Sequence, residues 1–501
     1  MQSSVQLNFD SLDGLVDKLK HIAQKSVQHG TPVHESEKLI LENLLEMGHA
    51  VLSAMFQSVG CGDVGPTLER PQFTKPLIRY PEPSTRTYRS IFGDFTLPRY
   101  LYGKAPSQKA LAIPFDEHFG LPANRFSLLL ESWVSQLSTS EAIHEAMDKL
   151  DNILGVRIGV DSAERILART GTNAEHFQDN LPPVEVEAEG ELLIESTDNK
   201  GIVMRHKVPS VQPPVGAPAN RVGPIPDRKQ MATICGCYSV DRHVRTPEEV
   251  LNALFRVPTT ESLPIQRPRP KQSRYQACMS VNGSGTDIDL CGEVSAIGWL
   301  SEHVLDRRTE GQELINLNDG ELSIWSNIED AQGQNGRVDI LDLLHAIQRV
   351  WDAAAIILPK DRIAFAKEHI LSILDGKVKS VIQSLRWQAT HLKLDGKSSK
   401  AMEKICGFLE RNAPRMKYDE YLAKGYPIAT GFIEGACRHV IKDRMERSGM
   451  RWSLQGARHM LYLRCIDAGK LWKEFQCVHQ EKALAIYGDR TNFIDSFFLA
   501  A

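Results

Sequence analysis

Three carboxylates attract notice by where they fall in the order of elements. Glu434 lies in YPIATGFIEGACRHVIKDRMERSGMRWS, residues 426–453, just past a Thr-Gly turn at the head of a helix. Later turns of that helix carry Arg438, Lys442, Arg444, Arg447 and Arg451. Asp198, in IESTDNKGI, closes a first strand, and Asp319, in NLNDGELSIW, closes a fourth. Each has a local explanation on its own. A Glu after a Gly431 cap complements a helix N-terminus, an Asp before Asn-Lys-Gly bonds its own backbone in a turn, and Asn-Asp-Gly is an ordinary strand exit. Turn chemistry does not explain all three at the ends of those particular elements. Carboxylates brought close enough to repel are unfavourable unless cations neutralise them, and hard oxygen donors suit Mg²⁺ or Mn²⁺. Two such ions about 4 Å apart can activate a nucleophile and stabilise the leaving oxygen of a phosphodiester, so phosphoryl transfer is the chemistry this set would perform.

The elements that must position these acids read as follows. ELLIESTDNKGIVMRH is expected to be a strand, a tight turn at Asn199-Lys200-Gly201 and a second strand, with KQMATICGCYSV as a third. A long irregular stretch follows, including the basic, extended LPIQRPRPKQSRY. Then come a helix (VSAIGWLSEHVLDRR), a strand (QELINLND), a helix (GELSIWSNIED) and a strand (GRVDILDLLHA), and every segment from 347 to about 422 reads as helical. If the first and fourth strands are neighbours, Asp198 and Asp319 project side by side, and a helix packed there could bring in Glu434. Upstream, residues 1–60 read as helices and TYRSIFGDFTLPRYLYG as a β-hairpin around Gly93-Asp94. Residues 122–177 read as short helices capped by STSEA and GVDSAE, a pattern that fits either a DNA-reading helix-turn-helix unit or any small bundle.

At 501 residues the chain should hold two to four packed units. With 42% hydrophobic and 24% charged residues it reads as soluble and globular. No run approaches the roughly 18 apolar residues of a membrane span, and MQSSVQLNFDSLDG lacks the marks of a signal peptide, so no membrane partner and a cytoplasmic, nucleoid-associated location are expected. Nine cysteines without CxxC spacing argue against a disulfide framework and a zinc ribbon, and Cys235 and Cys237 read as buried thiols on one side of a strand. The net charge of −4 is uninformative, but residues 360–474 hold 23 Lys/Arg against 13 Asp/Glu while the rest holds 36 against 50. The basic C-terminal quarter is the footprint that phosphate contacts require, although a solvated face gives the same excess.

Asp198 in IESTDNKGI, Asp319 in NLNDGELSIW, LDLLHAIQRVW at 341–351 and the closing motif at 426–453 together resemble a bacterial insertion-sequence DDE transposase of the ISKra group, related to Mutator-type and hAT-type enzymes. The resemblance spans roughly residues 80–480 and is densest in the closing motif. It implies an α/β catalytic core, an RNase H-like mixed sheet with flanking helices, together with a helical insertion domain and a mainly helical N-terminal region. The implied organisation is N-terminal helices plus hairpin (1–120), a helix-turn-helix-like DNA-binding domain (121–180), the first part of the core (185–349), the insertion (350–424), the Glu-bearing remainder of the core (425–480) and a tail (481–501). Asp198, Asp319 and Glu434 would be both catalytic and metal-binding, holding a pair of Mg²⁺ or Mn²⁺ ions. A Cys/Asp-x-x-His element is also implied, and Asp342-Leu343-Leu344-His345 fits it, giving His345 a supporting catalytic role near the scissile phosphate or flanking base. Arg438 would meet a phosphate, and Lys442, Arg444, Arg447 and Arg451 would follow the DNA backbone. The partners would be double-stranded DNA, at element terminal repeats and at the target, and further copies of the chain in a dimer or larger assembly. Relatives often place Gly after the first Asp, where this chain has Asn199, and many carry a cysteine-rich zinc element ahead of the hairpin, whereas RYPEPSTRTYRSIFGDF contains no cysteine. An RNase H-like nuclease without strand transfer, and a transposase-derived DNA-binding protein without catalysis, are the alternatives.

Overall fold

In the computed structural model, which describes residues 10–106, 108–205, 229–257, 267–280, 291–333, 336–447 and 449–488, the chain is mixed α/β and divides into two compact units. One comprises residues 1–174 with 472–501, the other residues 175–471.

The first unit opens with two helices, Asp10–His29 and Val33–Ser58. The second of these is long and apolar enough to cross a membrane by length and composition alone, although Glu42 and Glu46 interrupt it and Lys18 of the neighbouring helix reaches Glu46 at 2.5 Å. Ser84–Ser90 and Gly93–Arg99 form the expected hairpin, and Gly93, at φ 112, takes a left-handed angle that L side chains rarely adopt. Helices Leu128–Ser140, Ile143–Leu154 and Val160–Asp179 pack around Leu130, Val134, Met147, Leu150, Val156 and Ile166. Ser127 caps the first of them by accepting from Leu130 N.

The second unit is built on a five-stranded sheet: β1 Leu192–Val203, β2 Lys229–Val240, β3 Lys271–Met279, β4 Glu313–Asn318 and β5 Arg337–Leu341. Their spatial order is β5-β4-β1-β2-β3. β4 runs parallel to both β1 and β5, while β2 runs antiparallel to β1 and β3. The turn expected at Asn199-Lys200-Gly201 does not form. β1 continues straight through it, because Asp198 to Val203 pair with Ile234 to Lys229 and the ladder overrides the local turn preference. The third strand is Lys271–Met279, which lies within the stretch read as irregular. The part of the basic segment before Arg267 lies outside the described residues.

Alternation along β1 assigns the two faces. Leu192 and Ile194 join Ile315, Leu317 and Ile340 in a core that continues into the helices Leu343–Ile357, Arg362–Leu374, Val378–His391 and Gly396–Asn412 through Val350, Ile370, Leu385 and Leu409. Leu193 faces the other way, with Cys235, Cys237, Ala296, Leu300 and Leu314, against the helix Gly292–Arg307. The two thiols therefore sit in a core, as expected. Glu195 shares this second face, fully buried, and accepts from Gln332 Nε2 at 2.8 Å. Its other oxygen has no hydrogen-bond partner among the described residues, and burial raises its pKa to about 7.

Candidate acidic site

The acids meet where β1, β4 and β5 run side by side. The parallel register pairs Glu195 with Asn316 and Asn318 with Leu341. Carried forward, it sets Asp198, Asp319 and Asp342 at one level of three adjacent strands. Two bonds keep the strands together beyond the last paired residues: Thr197 N donates to Asn318 Oδ1 at 2.6 Å, and Asp342 N to Asn318 O at 2.8 Å. Asp198 and Asp319 keep the phase of Ile194 and Leu317, so both face the helical core.

Glu434 arrives from above that face. Its helix, Gly431–Ala436, is capped at Thr430 rather than Gly431 and continues through one wider turn, Cys437–Lys442, into Asp443–Met445. Such π-type turns recur at functional sites. Phe432 stacks on Tyr275 at 4.9 Å and lies 4.2 Å from Tyr238, directly over Gly236 of β2. A Cβ at Gly236 would stand 3.1 Å from Phe432 and 2.8 Å from Arg274 O. Glycine there is what lets the Glu-bearing helix lie down on the sheet. Gly320 does the same beside Asp319, because a side chain there would run into the Phe408 ring.

The ligating atoms of Asp342, His345 and Glu434 lie within 4.8 Å of one another; Asp198 and Asp319 are outside that group. Asp342 is fully buried and accepts three hydrogen bonds: from Thr430 N at 2.9 Å, from His345 N at 3.2 Å as the cap of its helix, and from His345 Nδ1 at 2.6 Å. That carboxylate orients the ring through Nδ1, leaving Nε2 free of that bond, and raises the imidazole pKa above its usual value against the opposing effect of burial. Asp319 and Glu434 add to the upward shift. The Asp319 carboxyl is itself pushed up, first by burial and then by the charges of Asp198 and Asp342, while the Glu321 N–H and His345 pull it down. The Cys437 thiol bonds Asp198, and burial with that carboxylate pushes the thiol up to about 12, which keeps it protonated. Lys200 and Lys442 act on the same thiol in the opposite sense, so two ammonium groups flank the Asp198 end of the site.

No family model and no curated protein matches the chain.

The sequence-derived cations separate into two kinds. Arg438, Lys442, Arg447 and Arg451 are exposed, and Arg438 Nε lies 3.7 Å from Asp443 Oδ1. Arg444 is a correction: it is 1% exposed, its guanidinium stacked 4.9 Å over the Trp452 ring, and it cannot follow a DNA backbone. Its charge was expected to seek solvent, whereas the turn that follows the wider Cys437–Lys442 segment buries it against Trp452. Asn199 does not serve a turn either. It accepts from Thr233 Oγ1 at 2.6 Å and donates to Glu293 at 2.7 Å. Asp342, Thr430, Cys437 and Lys200 join the site without having been marked as site residues by the sequence, although the Asp-x-x-His spacing already carried the first.

Proposed function

We propose that this chain is a DDE-type DNA transposase with an RNase H-like core, in which Asp198, Asp319 and Glu434 hold divalent cations, Mg²⁺ or Mn²⁺. The observation that carries the reading is the alignment of Asp198, Asp319 and Asp342 on three adjacent strands with Glu434 set over them. A five-stranded sheet in which the second strand in sequence runs antiparallel to its neighbours, and the first is central, supports the fold half of the proposal.

The donor set suits the ions. Asp319 Oδ2 and Glu434 Oε2 accept no hydrogen bond among the described residues, and burial, with the nearby charges of Asp198 and Asp342 added to it, raises Asp319. Asp342 has its oxygens engaged and serves to hold His345. Bound cations would supply charge neutralisation and Lewis acidity at the phosphodiester. The chain's own groups would do the rest. In the first step water adds to phosphorus and gives up a proton to solvent, the P–O3′ bond breaks and the leaving 3′ oxygen takes a proton, a transfer we assign to His345 through the nitrogen that Asp342 leaves free. In the second the freed 3′-hydroxyl adds to a phosphorus of target DNA and displaces another 3′ oxygen, the proton the hydroxyl loses replacing the one the displaced oxygen gains, so no protein-bound intermediate forms. Lys200, Arg438 and Lys442 offer charge to flanking phosphates. Acting on two DNA ends calls for a dimer or larger assembly.

The test is cleavage of plasmid DNA by the full chain with Mg²⁺ or Mn²⁺, beside Mn²⁺ binding followed by calorimetry. Asp319→Asn should abolish cleavage, weaken Mn²⁺ binding and leave DNA affinity unchanged. Metal-dependent nicking that persists in Asp319→Asn would refute the assignment.

A further inference from the structure

The first unit carries a cleft of ≈ 380 Å³ walled by Asn124, Arg125, Phe126, Ser162, Arg165 and Arg169. Three of its six lining residues are arginines and none is acidic. Arg125 is exposed, lies over the Phe126 ring at 5.0 Å and donates to Ser162 Oγ at 3.3 Å. Arg165 is exposed and has no hydrogen-bond or ion-pair partner among the described residues. Arg169 is anchored on the buried Glu131, yet its Nε is buried with no acceptor among the described residues. Ser162, Arg165 and Arg169 follow one another at helical spacing along Val160–Asp179, so one face of that helix points donors into the opening. Asp161 and Glu164 of the same helix are exposed and do not line it.

Two guanidinium groups without a carboxylate hydrogen-bond partner among the described residues, those of Arg125 and Arg165, beside a third held by Glu131, match a phosphate, whose oxygens accept from planar forks of donors. We infer that this cleft clamps a phosphodiester of double-stranded DNA, remote in sequence from the acidic site and serving to hold the duplex rather than to cut it. Phosphate contacts of this kind set register and carry no base information, so the cleft should be indifferent to sequence. The choice of DNA rests on the reading proposed above; the anion chemistry does not.

The test uses the full chain and fluorescence anisotropy with a labelled duplex of arbitrary sequence across a salt series. Each phosphate contact contributes about 0.9 to the slope of log affinity against log salt. Arg125→Gln/Arg165→Gln should weaken binding about tenfold near 0.1 M salt and flatten the slope by about 2. Arg125→Lys/Arg165→Lys should restore most of it. Lys18→Gln/Lys20→Gln removes the same charge from the helix Asp10–His29 and should change little. Arg169 is left in place because Glu131 needs it. An equal loss in the Lys18/Lys20 variant, or parental affinity and slope in the Arg125/Arg165 variant, overturns the inference. So does displacement of the duplex by micromolar inorganic phosphate, which would mark a site for the free ion. A chain that binds DNA normally but does not cleave it would count against the proposed chemistry and leave this inference standing; a chain that binds no duplex removes both.

Discussion

Replacing Asp342 with Asn tests whether His345 is held by a buried carboxylate. Asp342 is fully buried and receives two backbone N–H groups and one ring nitrogen. Asn preserves shape but offers one acceptor oxygen and turns an NH₂ toward donors that have no other partner. Either Thr430 N or the His345 pair is then left unsatisfied. With hydrogen bonds to charged groups contributing about 1.5–3 kcal/mol and a stranded buried donor costing about 1–3 kcal/mol, destabilisation should be about 3 kcal/mol by urea unfolding. The pH dependence gives a sharper signature. The folded state raises the His345 pKa, so this group's stabilisation is complete below the unfolded value of 6.5 and is lost as pH rises through the folded value. The Asp342→Asn substitution removes the first cause of the shift, so the imidazole should titrate at lower pH, and the stability gained as pH falls through the folded value toward 6.5 should shrink. NMR of ring-labelled histidine reads the titration directly. An unchanged His345 titration in Asp342→Asn would show that the carboxylate does not control the ring.

Three further expectations rest on contacts already described. Glu195, lifted from 4.5 to about 7 by burial, favours folding only when protonated, so stability should fall by about 3 kcal/mol as pH rises from 4.5 through 7; Glu195→Gln should flatten that slope in chemical denaturation on either side of that window. Gly236→Ala drives a methyl against Arg274 O and Tyr275, each at 2.8 Å, and should cost about 1–3 kcal/mol by urea unfolding while displacing Phe432 and slowing any cleavage that depends on Glu434. Arg444→Gln should lower thermal stability through loss of its stacking on Trp452 while leaving the salt dependence of the proposed DNA binding as it was; a shallower salt slope would restore this residue to the proposed DNA-contacting set.

Much of the sheet was legible because buried strands and amphipathic helices have periods that survive in the sequence. β4, β5 and the helices around them follow apolar patterns, and the strand-helix exits at Asp319 and Asp342 coincide with the ends of those patterns. β3 was not legible. It is an edge strand, KQSRYQACM, whose polar alternation directly follows a Pro-Arg segment, and its partner lies far back in the chain. Asn-Lys-Gly misled for a related reason, since turn propensity is local while the ladder across Thr233 to Lys229 is not. The carboxylates could be named from their places in the element order. That Asp342 would be buried and committed to His345 could not, because its burial depends on Thr430 and on strand packing from a distant stretch. Arg444 shows the converse error, a charge assumed to seek solvent where an indole and a widened turn receive it.

The helices between Asp342 and Glu434 do not form a separable appendage. Val350, Ile370, Leu385 and Leu409 belong to the same apolar mass as Leu192, Ile194 and Ile315, and Leu343 N closes the neck of the excursion on Ile428 O at 2.9 Å. A protease that nicked this region would therefore not release an intact sheet, and warming should not melt the helices first and the acids later. Whatever evolution alters in that excursion is felt at the floor of the site, which makes its interior a place where distant substitutions can shift the acids without touching a single polar atom there.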